Sequence, residues 1–349
     1  MDNTPSNFTN TCFGGRLSYV DAQKGILILL VVFHHINNYA HSLNIEIDEI
    51  DMVFKANYLF VGFFMQAFFF LTGYVSSFNK KFTVFIKNNA KALLLPILFF
   101  WLINSSVETY FSHIKDSMMY VTIDNQKIPL LFETMWFLQA LFIAKVLLWL
   151  INRYAKKTII QIAIVVTLLV LGSILNDFLG HYNNWLHYRN ALCMVFMMFM
   201  GFYLKKQTQL MVKVEKLRYV ILLLYLIPTL LLATKDMTIS YTHMQYFSTK
   251  YLVAYLYLSS MGTLAFFCCL KKNNSRFLEY LGKNSLIIYG VHFVFLQFLE
   301  VILLRFFSLN GWMNEFIYLI IVYCGSVLLC LASCLFLNRK PFCYLVGKF

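Results

Sequence analysis

Long apolar segments separated by short polar connections run through almost the whole chain. A helix needs about 20 mostly apolar residues to cross the hydrocarbon core of a bilayer, and ten segments approach this length. They cover residues 24–43, 53–78, 92–112, 130–152, 158–176, 190–204, 219–234, 247–270, 284–304 and 316–337. Residues 1–16 and 338–349 form polar tails. The pattern predicts an all-α, polytopic membrane protein with about ten transmembrane helices in a single domain, residues 1–349.

Composition and charge agree with this prediction and orient the chain. Hydrophobic residues make up 60% of the sequence and charged residues 13%, whereas soluble domains carry about 25% charged residues. If the N-terminus is cytoplasmic, the cytoplasmic connections hold 21 of the 29 Lys and Arg residues, and the opposite side holds seven. This excess is the positive-inside signature, and it places both termini in the cytoplasm. A nucleic-acid-binding protein would instead gather its basic residues on one polar face, so that class is excluded.

The cysteines and histidines do not show the spacing of a disulfide framework or a metal site. Six of the eight cysteines fall within predicted helices, and no C-x-x-C pair occurs. The first apolar segment is also long enough to stay in the membrane as a helix instead of being cleaved as a signal peptide. We therefore expect an integral membrane protein without a bound metal or cofactor.

The first predicted span carries the most informative polar residues. Asp21, Lys24 and His35 follow the three- and four-residue spacing of one helical face. His35 lies eleven residues, or about 16 Å, beyond Lys24, near the middle of a core about 30 Å thick. An imidazole can take a proton from a hydroxyl, and Lys24 with Arg16 at the cytoplasmic mouth can hold phosphates. The face suits a donor with an anionic head, although a hydrogen bond from His35 to a neighbouring helix is the simpler alternative.

The spacing of Lys24, ten residues and then His35, preceded by Asp21, resembles the signature of the acyltransferase 3 family of integral membrane O-acyltransferases. Four later segments are similar to family segments in the same order. They are FFFLTGY (Phe68–Tyr74), a basic stretch ending in Lys91 and Pro96, MWFLQALF (Met135–Phe142) and GKNSLIIYGVH (Gly282–His292). The resemblance covers about residues 16–340 and is greatest for the branch described as fucose 4-O-acetylase-like.

The resemblance implies an enzyme of the bacterial cytoplasmic membrane that crosses it several times. Acyl-CoA, with acetyl-CoA first, would be the co-substrate, and the acceptor would be a glycan or a polyprenyl-linked saccharide. His35 would act as general base or as acyl carrier, with Asp21 supporting the local charge. The donor-binding residues that it implies are Lys24, Arg16 and Lys91. Ala92 stands where many members carry Arg, which weakens the expected donor contacts of that loop.

Six further residues are candidates for substrate binding: Tyr74, Glu133, Trp136, Ser285, Tyr289 and His292. Glu133 and Trp136 share a face at the outer end of the fourth predicted span, where a carboxylate beside an aromatic ring suits a sugar. An interfacial aromatic belt explains Trp136 equally well. Ser285, Tyr289 and His292 share a helical face, for which hydrogen bonding between helices is the alternative.

Two other functions stay open at this point. A transporter or flippase of a lipid-linked sugar would also be polytopic with buried polar residues, but paired Pro or Gly interruptions are expected there, and none is evident. The protein could also be an acyltransferase that transfers a succinyl group instead of an acetyl group. Lys145, inside the fourth predicted span, either reaches towards the cytoplasmic boundary along its aliphatic stem, which we favour, or lines a tunnel for the donor.

Overall fold

The computed structural model describes residues 17–36, 57, 59–112, 120–123, 126–129, 135–179, 185–233, 248–273, 275–306 and 312–348. In chain order the helices are α1 (Ser18–His35), α2 (Phe64–Val75), α3 (Phe82–Asn89), α4 (Leu95–Ser112), α5 (Trp136–Tyr154), α6 (Thr158–Leu179), α7 (Tyr188–Lys206), α8 (Thr208–Lys216), α9 (Arg218–Ala233), α10 (Leu252–Cys269), α11 (Arg276–Lys283), α12 (Ser285–Phe306), α13 (Trp312–Leu337) and α14 (Phe342–Leu345). A two-stranded antiparallel ribbon, β1 (Tyr120–Ile123) and β2 (Gln126–Pro129), lies between α4 and α5. Apart from this small ribbon, the prediction of an all-α fold is confirmed.

Six helical stretches in the described part of the chain are long and apolar enough to cross a membrane. They are Phe82–Asn104, Trp136–Tyr154, Thr158–Leu179, Thr249–Cys269, Ser285–Leu303 and Phe316–Leu337. Two shorter apolar helices, Leu59–Val75 and Arg218–Leu232, match two further predicted spans. The remaining two predicted spans, 24–43 and 190–204, overlap α1 and α7, whose charged and polar residues lower their hydropathy. The helical membrane protein is thus confirmed, while the count of ten and the side of each terminus stay predictions.

The third predicted span begins earlier than its apolar segment indicates. The structure has a continuous helical path from Phe82, in which a π-helical turn, Ala90–Leu94, joins α3 to α4. Pro96 follows this turn and has no N–H to donate to the carbonyl of Ala92, which removes one α-helical hydrogen bond and favours a wider turn.

The most apolar helices lie at the outside of the bundle. α6 and α13 have mean hydropathies of 2.6 and 2.5, yet only 28% and 22% of their apolar windows are buried. α1, which carries the polar face, instead packs against α2, α11, α12 and α13. Lipid accepts apolar side chains without cost, whereas a helix with a polar face is better placed in the interior, where its polar groups can find partners.

The tightest contact of the bundle joins the foot of α1 to α11. Ser275 caps α11 by accepting a hydrogen bond from the Leu278 amide at 3.4 Å, and Ser18 of α1 donates its hydroxyl to Glu279. Gly25 and Gly282 lie at the contact itself. A Cβ atom on Gly282 would overlap the carbonyl oxygen of Asp21, and one on Gly25 would overlap that of Leu278. Small residues of this kind allow helix backbones to touch.

The end of the chain returns to the break between α11 and α12. Asn284 occupies this break and accepts hydrogen bonds from the Lys348 ammonium at 2.7 Å and from the Asn338 amide at 2.8 Å. The Asn284 amide donates to the Tyr280 carbonyl at 2.9 Å. One buried side chain therefore fixes the start of α12, the end of α13 and the C-terminal segment together.

Candidate active site

Two imidazole rings from opposite ends of the sequence meet inside the bundle. The ring centroids of His35 on α1 and His292 on α12 lie 5.1 Å apart at an interplanar angle of 61°. The close contact between α1 and α11 explains this meeting, because Gly25 and Gly282 each precede their histidine by ten residues. Along α1 these ten residues correspond to about 15 Å, and on the other side the chain passes from α11 through Asn284 into α12 before it reaches His292. The opening segment and the Gly282–His292 segment thus build one site.

The hydrogen bonds of the two rings fix their tautomers. His35 Nδ1 donates to the Val31 carbonyl at 2.8 Å, and His292 Nδ1 donates to the Tyr289 carbonyl at 2.7 Å. A carbonyl oxygen can only accept, so in each neutral ring the proton is on Nδ1 and Nε2 keeps its lone pair. His292 is fully buried, and its Nε2 has no hydrogen-bond partner among the described residues. The site therefore holds two proton-accepting nitrogens.

Aromatic residues surround the pair and connect it to α5. The ring of Phe293 lies 4.6 Å from His35 and 4.4 Å from His292, centroid to centroid. Tyr289 packs 5.8 Å from His292 and 5.6 Å from Phe137, and it hydrogen-bonds to the Phe137 backbone. These contacts give the imidazole pair apolar surroundings, and they bring the start of α5 to the same site.

His34 is directed elsewhere, as the helical geometry of α1 predicts. Its ring centroid lies 5.4 Å from Phe64 on α2, and its side chain hydrogen-bonds to Asn57. Its ring contacts that of His35 edge to face at 5.1 Å. Among the described residues, the rings that contact His292 are those of His35, Tyr289 and Phe293. The adjacent histidine is thus a natural control for the role of His35.

The opposite end of the α1 face carries positive charge. Lys24 is half-buried, and Lys145 of α5 lies close enough to feel its electrostatic field. Asp21, only 5% exposed, is one turn below Lys24. The prediction that Lys145 points towards the cytoplasmic boundary stays open, but Lys145 and Lys24 lie within electrostatic reach of each other. Two ammonium groups that face the same region form a site suited to an anion.

Tyr74 lies at this charged end and not beside the histidines. Its hydroxyl accepts a hydrogen bond from Tyr19 at 3.2 Å, and its ring is 4.8 Å from that of Phe267. Tyr19 precedes His35 by sixteen residues, which corresponds to about 24 Å along α1. Tyr74 therefore lies apart from Tyr289 and His292, with which it was grouped as a candidate for substrate binding.

The other predicted site residues are dispersed. Lys91 is exposed in the π-helical turn, and Ser285 is half-buried at the start of α12, seven residues before His292. Trp136 is half-buried, with its ring 6.3 Å from His187. Arg16 and Glu133 lie outside the described residues.

Sequence reasoning missed several residues that the structure places in the interior. Phe293 and Phe137 contact the imidazoles or Tyr289, but nothing separates them from the other 34 phenylalanines of the sequence. Gln66, Asn104 and Glu300 are buried, and their side-chain polar atoms have no hydrogen-bond partner among the described residues. Their position inside predicted spans was a signal that could have identified them.

A helical membrane bundle that buries two unprotonated imidazole nitrogens defines an enzyme for proton or group transfer. The family model described as an acyltransferase domain matches residues 17–334. The chain therefore belongs to the acyltransferase 3 family.

Comparison with curated proteins gives a partial match. The nodulation protein NolL of Mesorhizobium japonicum (strain LMG 29417 / CECT 9101 / MAFF 303099) is 29% identical over 146 residues. The match covers 40% of this chain and 37% of NolL, so it spans little more than a third of that relative. No solved structure matches the chain.

Proposed function

We propose that this acyltransferase moves an acetyl group from cytoplasmic acetyl-CoA to a hydroxyl of a cell-surface glycan or polyprenyl-linked saccharide. It would act as a single-domain, multi-pass protein of the bacterial cytoplasmic membrane. The observation that carries the proposal is the lone pair on His35 Nε2 in the bundle interior, on the face that begins with Lys24. A basic site and a reactive nitrogen are thus joined by one helix.

The donor would lie along α1, with its phosphates at the charged end. Lys24 and Lys145 lie within electrostatic reach of each other there, and Arg16 and Lys91 are further basic candidates on the same predicted side. Anions bind strongly to paired ammonium groups when the surroundings are apolar. Asp21 supports this arrangement as a buried carboxylate one turn below Lys24. The thioester would then reach His35, about 16 Å from Lys24.

The acceptor would approach the other side of the imidazole pair. Tyr289, His292 and Ser285 lie on one face of α12, and Phe137 connects that face to Trp136. Glu133 is a further candidate from the sequence. An apolar cavity of about 450 Å³ is lined largely by α4 and α5, and α5 also carries Trp136 and Phe137. It is lined by Leu94, Ile97, Leu98, Trp101, Gln139, Phe142, Ile143 and Leu186. Its lining suits the hydrocarbon tail of a polyprenyl-linked sugar, which supports a lipid-carried acceptor.

His35 would act on the acyl transfer directly. Its Nε2 either takes the proton of the acceptor hydroxyl or attacks the thioester and carries the acyl group. Both steps need the same lone pair, which the hydrogen bond from Nδ1 to the Val31 carbonyl keeps available.

The test compares His35→Ala with His34→Gln in purified protein in nanodiscs, using radiolabelled acetyl-CoA and membrane glycan from the producing cells. We expect His35→Ala to lose transfer of label to glycan, and His34→Gln to stay within about threefold of the wild type, since His34 faces α2. Full activity of His35→Ala would refute the proposed mechanism. Glycan movement across the membrane without label would indicate a transporter, and label only from succinyl-CoA would change the transferred group.

A further inference from the structure

The site contains one more base than a general-base mechanism needs. We propose that His292 is a second catalytic residue, which takes the proton of the acceptor hydroxyl while His35 carries the acyl group. The inference rests on the proposed function and deepens it, because it assigns separate chemical tasks to the two imidazoles.

The geometry of the pair supports this division. Each ring donates its Nδ1 proton to a carbonyl of its own helix, so neither Nε2 is consumed by protein structure. The ring centroids are 5.1 Å apart, so one small substrate group can contact both imidazoles. His292 Nε2 is buried and has no partner among the described residues, which is costly unless a ligand supplies one.

Neighbouring groups are less suited to this task. His34 hydrogen-bonds to Asn57 and packs on Phe64, so its ring belongs to the other side of α1. The Tyr289 hydroxyl is engaged with the Phe137 backbone. Nδ1 of His34 also has no hydrogen-bond partner among the described residues, but this ring packs on Phe64 of α2. His292 packs on Phe293 in the same aromatic cluster as His35, so it is the base that we assign to the acceptor.

The proposed steps balance in atoms and charge. His35 Nε2 attacks the thioester carbon, the C–S bond breaks, and coenzyme A leaves as a thiolate that takes a proton from the cytoplasmic water. His35 is then an acyl-imidazolium that keeps its Nδ1–H bond to the Val31 carbonyl. The acceptor oxygen attacks the acyl carbon, the C–Nε2 bond breaks, and its electron pair returns to His35. His292 Nε2 takes the hydroxyl proton and later releases it to water.

The two steps can be measured separately without knowing the natural acceptor. Radiolabelled coenzyme A exchanges into acetyl-CoA through the first step alone. Water and hydroxylamine then serve as acceptor probes for the second step. Water needs a base to remove its proton, whereas hydroxylamine is nucleophilic enough to react without one. Acetate and acetohydroxamate are the respective products, and full-length protein in nanodiscs is used throughout.

We expect His292→Gln to retain isotope exchange and acetohydroxamate formation, and to lose about 10²- to 10⁴-fold in acetate formation, the usual contribution of a general base. His35→Ala is expected to lose all three activities, and His34→Gln to keep them. A merely structural role of His292 would lower exchange and both transfers together, and that result would overturn the proposal. Unchanged acetate formation in His292→Gln would overturn it as well.

Two further outcomes keep the proposals distinct if His292→Gln does not fold. Wild-type protein that transfers acetyl but shows no isotope exchange would refute the acyl carrier and with it the task given to His292, while the proposed acyl transfer would stand. The proposed function itself would be refuted if the wild-type protein transferred no acyl group from acetyl-CoA, or if His35→Ala were fully active.

Discussion

The contact between α1 and α11 allows a test of how the catalytic pair is positioned, at a distance from the pair itself. Gly282→Ala adds one methyl group that would overlap the carbonyl oxygen of Asp21. The atom it meets belongs to a helix backbone, so no side-chain rotation can relieve the overlap. The two helices have to move apart at the point from which His35 and His292 are both placed.

The magnitude follows from the packing. A separation of about 1 Å or more is needed, and overpacking of this kind costs about 1–3 kcal/mol of folding stability. The displacement is carried about 15 Å along α1, and along the chain from α11 into α12, to rings whose centroids are 5.1 Å apart. Since a misplacement of about 1 Å can cost about 10²-fold in rate, we expect acyl transfer to fall by roughly that factor in folded protein.

The assay measures acetyl transfer per folded protein in nanodiscs, with thermal unfolding recorded on the same samples. Gly325→Ala is the matched control, because its added Cβ meets the Leu299 Cδ1 atom at 2.9 Å, the end of a flexible side chain. This control is expected to stay within about twofold of wild-type activity. A stable Gly282→Ala protein with wild-type activity would show that the helix contact does not position the histidines.

The remaining predictions concern the charged end of the donor site and the C-terminal junction. Lys145→Gln is expected to raise KM for acetyl-CoA about tenfold to hundredfold with little change in kcat, since a hydrogen bond to a charged group contributes about 1.5–3 kcal/mol; an unchanged KM would remove Lys145 from donor binding. Asn284→Ala leaves Asn338 and Lys348 without their shared acceptor and is expected to lower the free energy of unfolding by about 1–3 kcal/mol. Chemical denaturation in mild detergent measures this loss, and Asn273→Ala, at the loop before α11, serves as a comparison. If Asn284→Ala were as stable as the wild type, Asn284 would not hold the C-terminal segment against the start of α12.

The apolar pattern was sufficient to predict most of the helices. Predicted spans at 158–176, 284–304 and 316–337 agree closely with α6, α12 and α13, because a long apolar run has few other stable conformations in lipid. The boundaries near Pro96 were less well predicted. There the helix continues through a π-helical turn, which hydropathy does not register.

The candidate site was predictable in part. The spacing on α1 selected Lys24 and His35 because helical geometry is local and regular. The same reasoning selected His292 but could not show that it touches His35, since 257 residues of sequence separate them. The sequence also did not show that Tyr74 lies apart from His292, at the charged end, where it contacts Tyr19 and Phe267.

The sequence alone thus determined that this protein is a helical membrane protein with a polar face on its first helix. Those properties depend on hydropathy and on the helical repeat, which act over one or two turns. The tertiary structure decided that two imidazoles share one site, that Lys145 lies within electrostatic reach of Lys24, and that Gly25 and Gly282 let α1 and α11 touch. Such contacts depend on how closely backbones approach, and a missing Cβ acquires that meaning only when the opposite helix is known.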